Sequence, residues 1–225
     1  MADFSATEIV KQFETASGSL TILDGVTVEL NRGQNLAVVG PSGSGKSTFL
    51  QIAGSLDTPS SGTVELLGTN PHELSGKQLA QFRNENIGFV FQQHHLLPQL
   101  SALENVLVPV LATGAVDDAA NEAARKLLEQ VGLEDRVDHR PGQLSGGECQ
   151  RVAVARSLIR EPALVLADEP TGSLDQKNAT RIGELLLEMQ TTHNTILICV
   201  THSDRLASLF QQLTTINDGK FEKVA

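Results

Sequence analysis

Short apolar runs alternate with turn residues near the start of the chain. Within residues 7–31 the runs are separated by turn residues at 17–19, 24–25 and 31–33. Strands interrupted by such turns are typical of antiparallel pairing. The pattern therefore predicts a small antiparallel β layer.

A strand, a glycine-rich turn and a helix follow in that order. The apolar run at 35–39 predicts a buried strand, residues 40–45 the turn, and residues 46–55 the helix. Further apolar runs predict strands at 63–67 and 87–91. A strand that leads through a glycine-rich turn into a helix is the context of a phosphate-binding loop.

The pattern becomes helical from residue 102 to residue 157. Apolar residues recur at helical spacing over 118–131, and Gly132 is typical of a residue that ends a helix. We interpret this stretch as a helical lobe inserted into the core. The longest apolar runs are too short to span a bilayer, so no transmembrane segment is expected.

Strands return in the last third of the chain. Apolar runs predict strands at 163–167 and 195–200, a helix lies between them at 178–191, and a terminal hairpin is predicted around 217–219. Strands separated by helices favour parallel pairing. The pattern as a whole predicts an α/β fold with a mainly parallel sheet.

Residues 40–48 fit the pattern G-x-x-x-x-G-K-[ST], in which small residues let backbone N–H groups surround phosphate at a helix N-terminus. Lys46 is predicted to bridge the β- and γ-phosphates of a nucleotide, and the Ser47 hydroxyl to ligate Mg²⁺. A glycine-rich hairpin without a ligand is the alternative, which the flanking strand and helix disfavour. The predicted nucleotide-binding residues are Gly40, Pro41, Ser42, Gly43, Ser44, Gly45, Lys46, Ser47 and Thr48.

Two adjacent carboxylates, Asp168 and Glu169, directly follow the apolar residues 164–167. Open α/β sheets bind their ligands at the carboxyl ends of the strands. We predict that Asp168 holds Mg²⁺ through a water and that Glu169 polarises the attacking water as general base. An acidic pair without a catalytic role is the alternative, and the nearby phosphate loop favours catalysis.

Two further polar residues stand at predicted strand ends. Gln92 directly follows the strand at 87–91, and His202 follows the strand at 195–200 and Thr201. Hydrolysis of a γ-phosphoryl group requires polar side chains near that phosphate, so both are candidate catalytic residues. A solvated or internally satisfied side chain is the alternative for each.

The segment at 144–151 reads Leu-Ser-Gly-Gly-Glu-Cys-Gln-Arg. Ser145, Gly146 and Gly147 are predicted to open a helix whose N–H groups and dipole favour an anion, with simple helix capping as the alternative. The motif resembles the signature of ATP-binding cassette (ABC) ATPases, and the other motifs occur in the order found in that family.

The resemblance to ABC ATPases covers about residues 13–219. It implies a P-loop NTPase core at about 1–92 and 160–225, with an N-terminal antiparallel β subdomain. It also implies an inserted α-helical subdomain at about 93–159, which carries the signature. ATP and Mg²⁺ are the implied ligands of this single ABC ATP-binding domain.

The resemblance also suggests roles for single residues. Gln92 resembles the Q-loop glutamine that contacts Mg²⁺ or water, His202 resembles the switch histidine at the γ-phosphate, and Asp175 lies in a segment similar to the D-loop at the dimer seam. Phe13 stands where the family often has a tyrosine that stacks on adenine, and a core phenylalanine is the alternative. Because the other motifs serve ATP from one subunit, residues 145–147 are expected to reach the ATP of a second copy.

Charge and cysteine content limit the remaining function classes. The net charge of -10 disfavours direct nucleic-acid binding, which needs clustered Lys and Arg. Cys149 and Cys199 lack CxxC spacing and are expected to be unpaired thiols. The first residues lack the features of a secretory signal, so we expect a cytoplasmic protein. The resemblance implies that it is peripheral on the inner face of the bacterial cell membrane, through a permease.

Segments at 88–98, 102–106 and 168–175 resemble one ABC subgroup, which includes lipoprotein-releasing ATPases, macrolide-exporter ATPase domains and a cell-division ATPase. The resemblance implies a homodimer around two MgATP that drives a separate membrane permease and exports or extracts a lipophilic substrate. Mechanotransmission to a periplasmic or cell-division partner without transport is the alternative. An ABC ATPase acting on DNA or ribosomes is disfavoured, because 225 residues leave no room for the necessary insertions.

Overall fold

A computed structural model describes residues 2–15 and 18–223 of the protein. The strands are β1 (Phe4–Thr15), β2 (Gly18–Leu30), β3 (Asn35–Val39), β4 (Ser61–Leu66), β5 (Ile87–Phe91), β6 (Leu164–Asp168), β7 (Ile196–Val200), β8 (Gln212–Asn217) and β9 (Lys220–Lys223). The α-helices are α1 (Lys46–Ala53), α2 (Gly76–Asn86), α3 (Ala102–Leu111), α4 (Asp118–Gln130), α5 (Gly146–Leu158), α6 (Gln176–Thr192) and α7 (Asp204–Ala207). Short 3₁₀ turns lie at Pro71–Glu73, Glu134–Arg136 and Pro141–Gln143.

The first sheet is an antiparallel layer with the strand order β2-β1-β4, as predicted. The turn predicted at 17–19 lies partly outside the described residues. The turn predicted at 24–25 is wrong, because β2 runs through these residues and shifts its register against β1. Gly25 takes a left-handed φ of 76° there, and the Asp24 N–H donates to the Gly219 carbonyl at 2.9 Å. An Asp-Gly pair thus forms a bulge inside a longer strand.

The second sheet has the strand order β5-β6-β7-β3-β8-β9 and is parallel except for the β8–β9 pair. The predicted mainly parallel sheet is therefore confirmed, as is the terminal hairpin, in which Asn217 pairs with Lys220. Parallel strands have their carboxyl ends at the same edge. This edge carries the segments that follow β3, β5, β6 and β7, which include Gln92, Glu169 and His202.

The central strands of the main sheet, β3, β6 and β7, are buried on both faces. Val165 and Ala167 of β6 join the apolar cluster that contains the buried residues of α3 to α6. Leu164 and Leu166 join the cluster that contains α1 and the antiparallel layer. Strands buried on both sides have continuous apolar runs, which is why the sequence pattern predicts them.

The helical lobe consists of α3, α4 and α5, which pack against one another around a shared apolar cluster. α4 ends at Gln130, and Gly132 takes a left-handed φ of 67° just after it. The predicted fold class is confirmed by this arrangement, whereas the subdomain boundaries near residues 92 and 160 stay a prediction. Across residues 2–15 and 18–223, no helix is both long and apolar enough to cross a membrane.

The apolar pattern does not predict α2. None of its residues is buried, so it lacks the apolar stripe that identifies a packed helix. The sequence does contain a capping signal for α2, namely Ser75 followed three residues later by Gln78. In the structure the N–H and hydroxyl of Ser75 both donate to the side-chain oxygen of Gln78, at 3.2 and 2.6 Å.

Candidate active site

The phosphate loop connects β3 to α1 and closes around Lys46. The Lys46 side chain is buried, and its Nζ donates to the carbonyl oxygens of Gly40 and Pro41 at 2.9 Å each. Burial lowers the pKa of Lys46, although the charges of Glu169 and Asp168 oppose this shift. The ammonium group therefore lies inside the loop and faces two carboxylates.

Two glycines let the loop approach neighbouring strands. Gly40 has a φ of 151°, and a Cβ there would lie 2.4 Å from the Ile216 carbonyl oxygen. Gly45 has a φ of 103°, and its Cβ would lie 2.8 Å from the Ile22 carbonyl oxygen. A side chain at either position would displace the loop from β8 or β2.

Asp168 and Ser47 form an oxygen pair at the edge of the sheet. The Ser47 hydroxyl donates to Asp168 Oδ1 at 3.3 Å. Burial raises the pKa of Asp168 and the Glu169 charge adds to this, whereas the Ser47 hydrogen bond and Lys46 oppose it. A hydroxyl and a carboxylate are both donors that Mg²⁺ prefers.

Glu169 is held by the residues that follow β7. Its backbone takes a left-handed φ of 47°, and its N–H donates to the Val200 carbonyl at 2.9 Å. Its Oε2 accepts hydrogen bonds from the Thr201 hydroxyl at 3.3 Å and from the His202 N–H at 3.2 Å. Its Oε1 is buried and lies 3.3 Å from His202 Nε2, without the geometry of a hydrogen bond.

A hollow of about 350 Å³ lies beside these groups, and Asp168 is not among the residues that line it. It is lined by Ile22, Ser42, Gly43, Gly45, Lys46, Ser47, Thr48, Glu169 and His202. The structure thus brings the phosphate loop, the candidate base and the candidate switch histidine to one cavity. Thr201 belongs to none of the sequence motifs, although its position between β7 and His202 places it at the same edge of the sheet.

Gln92 lies beside the segment after Glu169 and is not among the residues that line this hollow. A Cβ at Gly172 would lie 2.9 Å from Gln92 Nε2, and the Ser173 hydroxyl donates to the Gln92 carbonyl at 3.1 Å. These contacts do not test the predicted contact of Gln92 with Mg²⁺, which stays a prediction.

The signature residues begin α5, which starts at Gly146. The Ser145 hydroxyl accepts from the Glu148 N–H at 3.3 Å, and Glu148 Oε2 accepts from the N–H of Ser145 at 2.7 Å. The pKa of Glu148 is lowered mainly because its carboxylate accepts hydrogen bonds from the Ser145 N–H and hydroxyl. Helix capping therefore occurs here, and it leaves Gly146 exposed and Gly147 half-buried at the helix N-terminus.

The signature and the phosphate loop line different cavities of the chain. Ser145 and Gly147 border a hollow of about 60 Å³ together with Asn178 and Arg181 of α6, and none of its lining residues lines the phosphate-loop hollow. Asp175 caps α6, because its Oδ1 accepts from the N–H groups of Lys177 and Asn178 at 3.0 Å.

Phe13 lies on β1 and is 44% exposed, so the alternative of a core phenylalanine is wrong. Its strand partner is Leu20, two residues along β2 from Ile22 in the phosphate-loop hollow. Lys11 Nζ lies 4.9 Å from the centroid of the Phe13 ring. Lys11 belongs to none of the sequence motifs.

Comparisons with known proteins identify the family of the chain. The family described as ABC transporter matches residues 23–172, which run from β2 through the phosphate loop and the signature to Gly172. The chain belongs to the ABC transporter family. The predictions of an ABC ATP-binding domain and of ATP hydrolysis are thereby confirmed.

Several relatives of this ABC ATPase are lipoprotein-releasing ATP-binding proteins, which confirms the predicted subgroup resemblance in that part. LolD 1 of Rhodopirellula baltica is 51% identical over 212 residues, covering 94% of this chain and 93% of that protein. LolD of Bacteroides thetaiotaomicron is 47% identical over 206 residues, covering 92% and 94%. The dimeric cassette MJ0796, solved in a post-hydrolysis state with ADP and Pi, has a TM-score of 0.86 at 35% identity and covers 99% of each chain.

Proposed function

We propose that this ABC ATPase drives a separate membrane permease that extracts lipoproteins from the bacterial cell membrane. The observation that carries the proposal is the similarity to lipoprotein-releasing ATP-binding proteins over more than nine-tenths of the chain. These relatives favour lipoprotein release over macrolide export. The chain is held at the cytoplasmic face of the membrane through its permease.

ATP binds in the hollow at the phosphate loop. Lys46 and the loop N–H groups contact its phosphates, and the buried Ser44 hydroxyl, which has no hydrogen-bond partner among the described residues, offers a further contact. Ser47 and Gln92 would supply oxygen ligands for Mg²⁺ and Asp168 would hold the ion through a water, and the bound ion would neutralise phosphate charge. Described residues contain no cluster of three His, Cys, Asp or Glu, and a Mg²⁺ held by one carboxylate and phosphates needs none.

Glu169 acts as the general base for the attacking water. Thr201 and the His202 N–H orient one oxygen of its carboxylate, while the other oxygen has no hydrogen bond in the described chain. That second oxygen has acceptor capacity left for the attacking water, which takes the place that His202 Nε2 occupies 3.3 Å away. His202 contacts the γ-phosphate from the same side of the hollow.

Two copies form an ATP sandwich, in which each signature completes the ATP site of the other copy. The support is that Ser145 and Gly147 line a different cavity from Lys46 and Glu169. The positive end of α5 then meets the γ-phosphate across the dimer. Asp175, at the start of α6, lies along the same seam.

A groove of about 500 Å³ between α2, α3, β5 and α5 receives a cytoplasmic segment of the permease. Its walls are mostly apolar and include Phe89, Phe91 and Val108. Arg83, Arg156 and Arg160 also line it. Because these three cations stand in an apolar wall, the complementary segment is an amphipathic helix that carries an acidic side chain.

Arg160 is the best candidate for this acidic contact. Its Nε is buried and has no hydrogen-bond partner among the described residues, and its guanidinium lies 4.0 Å from Glu85. In contrast, Arg156 already donates to the carbonyls of His94 and His95 at 2.7 and 2.8 Å.

The proposal is tested with the ATPase and its permease in proteoliposomes loaded with a radiolabelled lipoprotein. We expect MgATP to release the lipoprotein to an acceptor protein, and the Glu169→Gln variant to release none. ATP hydrolysis that is stimulated by the permease but releases no lipoprotein would contradict the transport role and favour mechanotransmission.

A further inference from the structure

Lys11 lies between the exposed Phe13 ring and the segment that leaves α1. Its Nζ donates to Asp57 Oδ1 and to the Thr58 carbonyl at 2.7 Å each, and it lies 4.9 Å from the centroid of the Phe13 ring. The Lys11 side chain is only 11% exposed, whereas Phe13 is 44% exposed. A fixed cation thus lies against an accessible aromatic ring.

The anchor of Lys11 is continuous with the helix that starts at the phosphate loop. α1 begins at Lys46, and the Gln51 carbonyl of α1 accepts from the N–H groups of Leu56 and Asp57 at 2.8 and 3.2 Å. Burial of Asp57 opposes its ionisation, but the hydrogen bond from Lys11 and the N–H of Thr58 lower its pKa overall. Asp57 is therefore charged at neutral pH and holds Lys11 in place.

Fixing the ring in advance favours a stacked base. A cation near the ring face is attracted by the π electrons, and this restricts the ring. A side chain that is already ordered loses less entropy when a ligand stacks on it. Phe13 also stands at the end of β1 that pairs with β2 near Ile22 of the phosphate-loop hollow.

We propose that Lys11 is a positioning residue for the base of ATP, which holds the Phe13 ring in the orientation on which adenine stacks. The proposal rests on the proposed ATP site and deepens it. Lys11 acts through Phe13 and does not itself contact the nucleotide.

Calorimetric titration of the full chain with ADP and with pyrophosphate separates base from phosphate binding. Lys11→Met should raise the Kd for ADP by about three- to tenfold, the range expected for loss of a partly exposed cation–π contact. The Kd for pyrophosphate should change by less than about twofold, and Lys11→Arg should recover most of the ADP affinity. Lys126→Met, which removes the same charge from the exposed surface of α4, should change neither value.

A Phe13→Leu background provides the second test. If Lys11 acts through the ring, Lys11→Met should add less than about a twofold change in that background. Should Lys11→Met fail to fold, the same titrations use Lys11→Met with Asp57→Asn, which leaves no unpaired carboxylate.

Equal weakening of ADP and pyrophosphate by Lys11→Met would overturn the proposal, because it would mean that Lys11 acts on the phosphate loop through α1. Unchanged ADP affinity would overturn it as well. If the wild type binds ADP no more tightly than pyrophosphate, the base contact is absent while ATP hydrolysis stands. If it binds neither ligand, the proposed ATP site itself fails.

Discussion

Replacing Glu169 with Gln tests the general-base assignment, because it removes one charge and changes the shape very little. Glu169 Oε2 accepts two hydrogen bonds, from Thr201 and from the His202 N–H, and an amide oxygen accepts both. Loss of the Glu169 charge also removes one of the influences that raise the pKa of Asp168. We therefore expect the free energy of unfolding to change by less than about 1 kcal/mol.

The catalytic effect should be much larger than this structural one. General-base catalysis contributes about 10²–10⁴-fold, so kcat should fall at least about 100-fold, which is about 2.7 kcal/mol in the activation barrier. Phosphate release at saturating MgATP measures kcat, urea unfolding measures stability, and light scattering should detect an ATP-dependent dimer. A fall in kcat of less than about tenfold would refute the general-base assignment. A large loss of stability would show that the effect on kcat is structural.

Three other substitutions test the signature, the burial of Asp168 and the groove. Ser145→Ala should lower the free energy of unfolding by about 1 kcal/mol and abolish most ATPase activity. Ser101→Ala, which removes the corresponding capping box of α3, should lower the free energy of unfolding by a similar amount and leave ATPase activity unchanged. Equal ATPase activity of the two variants would contradict the contact of the signature with ATP. Asp168→Asn should stabilise the nucleotide-free protein at neutral pH. Burial raises the pKa of Asp168 in the folded state, so the wild type loses folding stability as pH rises through that raised value, and the neutral Asn does not. In urea unfolding this difference should shrink toward about pH 3, below the ordinary Asp pKa of about 3.9, where the acid is largely protonated in both states, and a difference that grows there would refute the burial argument. Arg160→Glu should reduce co-purification of the permease by more than about tenfold, whereas Arg160→Lys should retain most of it, and equal retention by both would exclude the acidic contact.

Local signals in the sequence were sufficient for the main elements of this fold. The phosphate loop depends on small residues and Lys46 within nine positions, and the buried strands depend on continuous apolar runs. The same approach fails for α2, whose residues are all unburied, and for Asp24-Gly25, where one dipeptide suits a turn and a bulge equally well. In both cases local preference leaves more than one backbone conformation open.

Chain order alone specifies which residue types stand at the carboxyl edge of the sheet, because each follows its own strand. The tertiary structure sets which of these residues meet. It joins Glu169 to Thr201 and His202, and it separates the signature from the phosphate loop by placing them in different cavities. It also places Lys11 against Phe13 through Asp57, which is 46 positions away along the chain. Such contacts depend on strand order and on close packing between distant segments, and a local sequence pattern reports neither property.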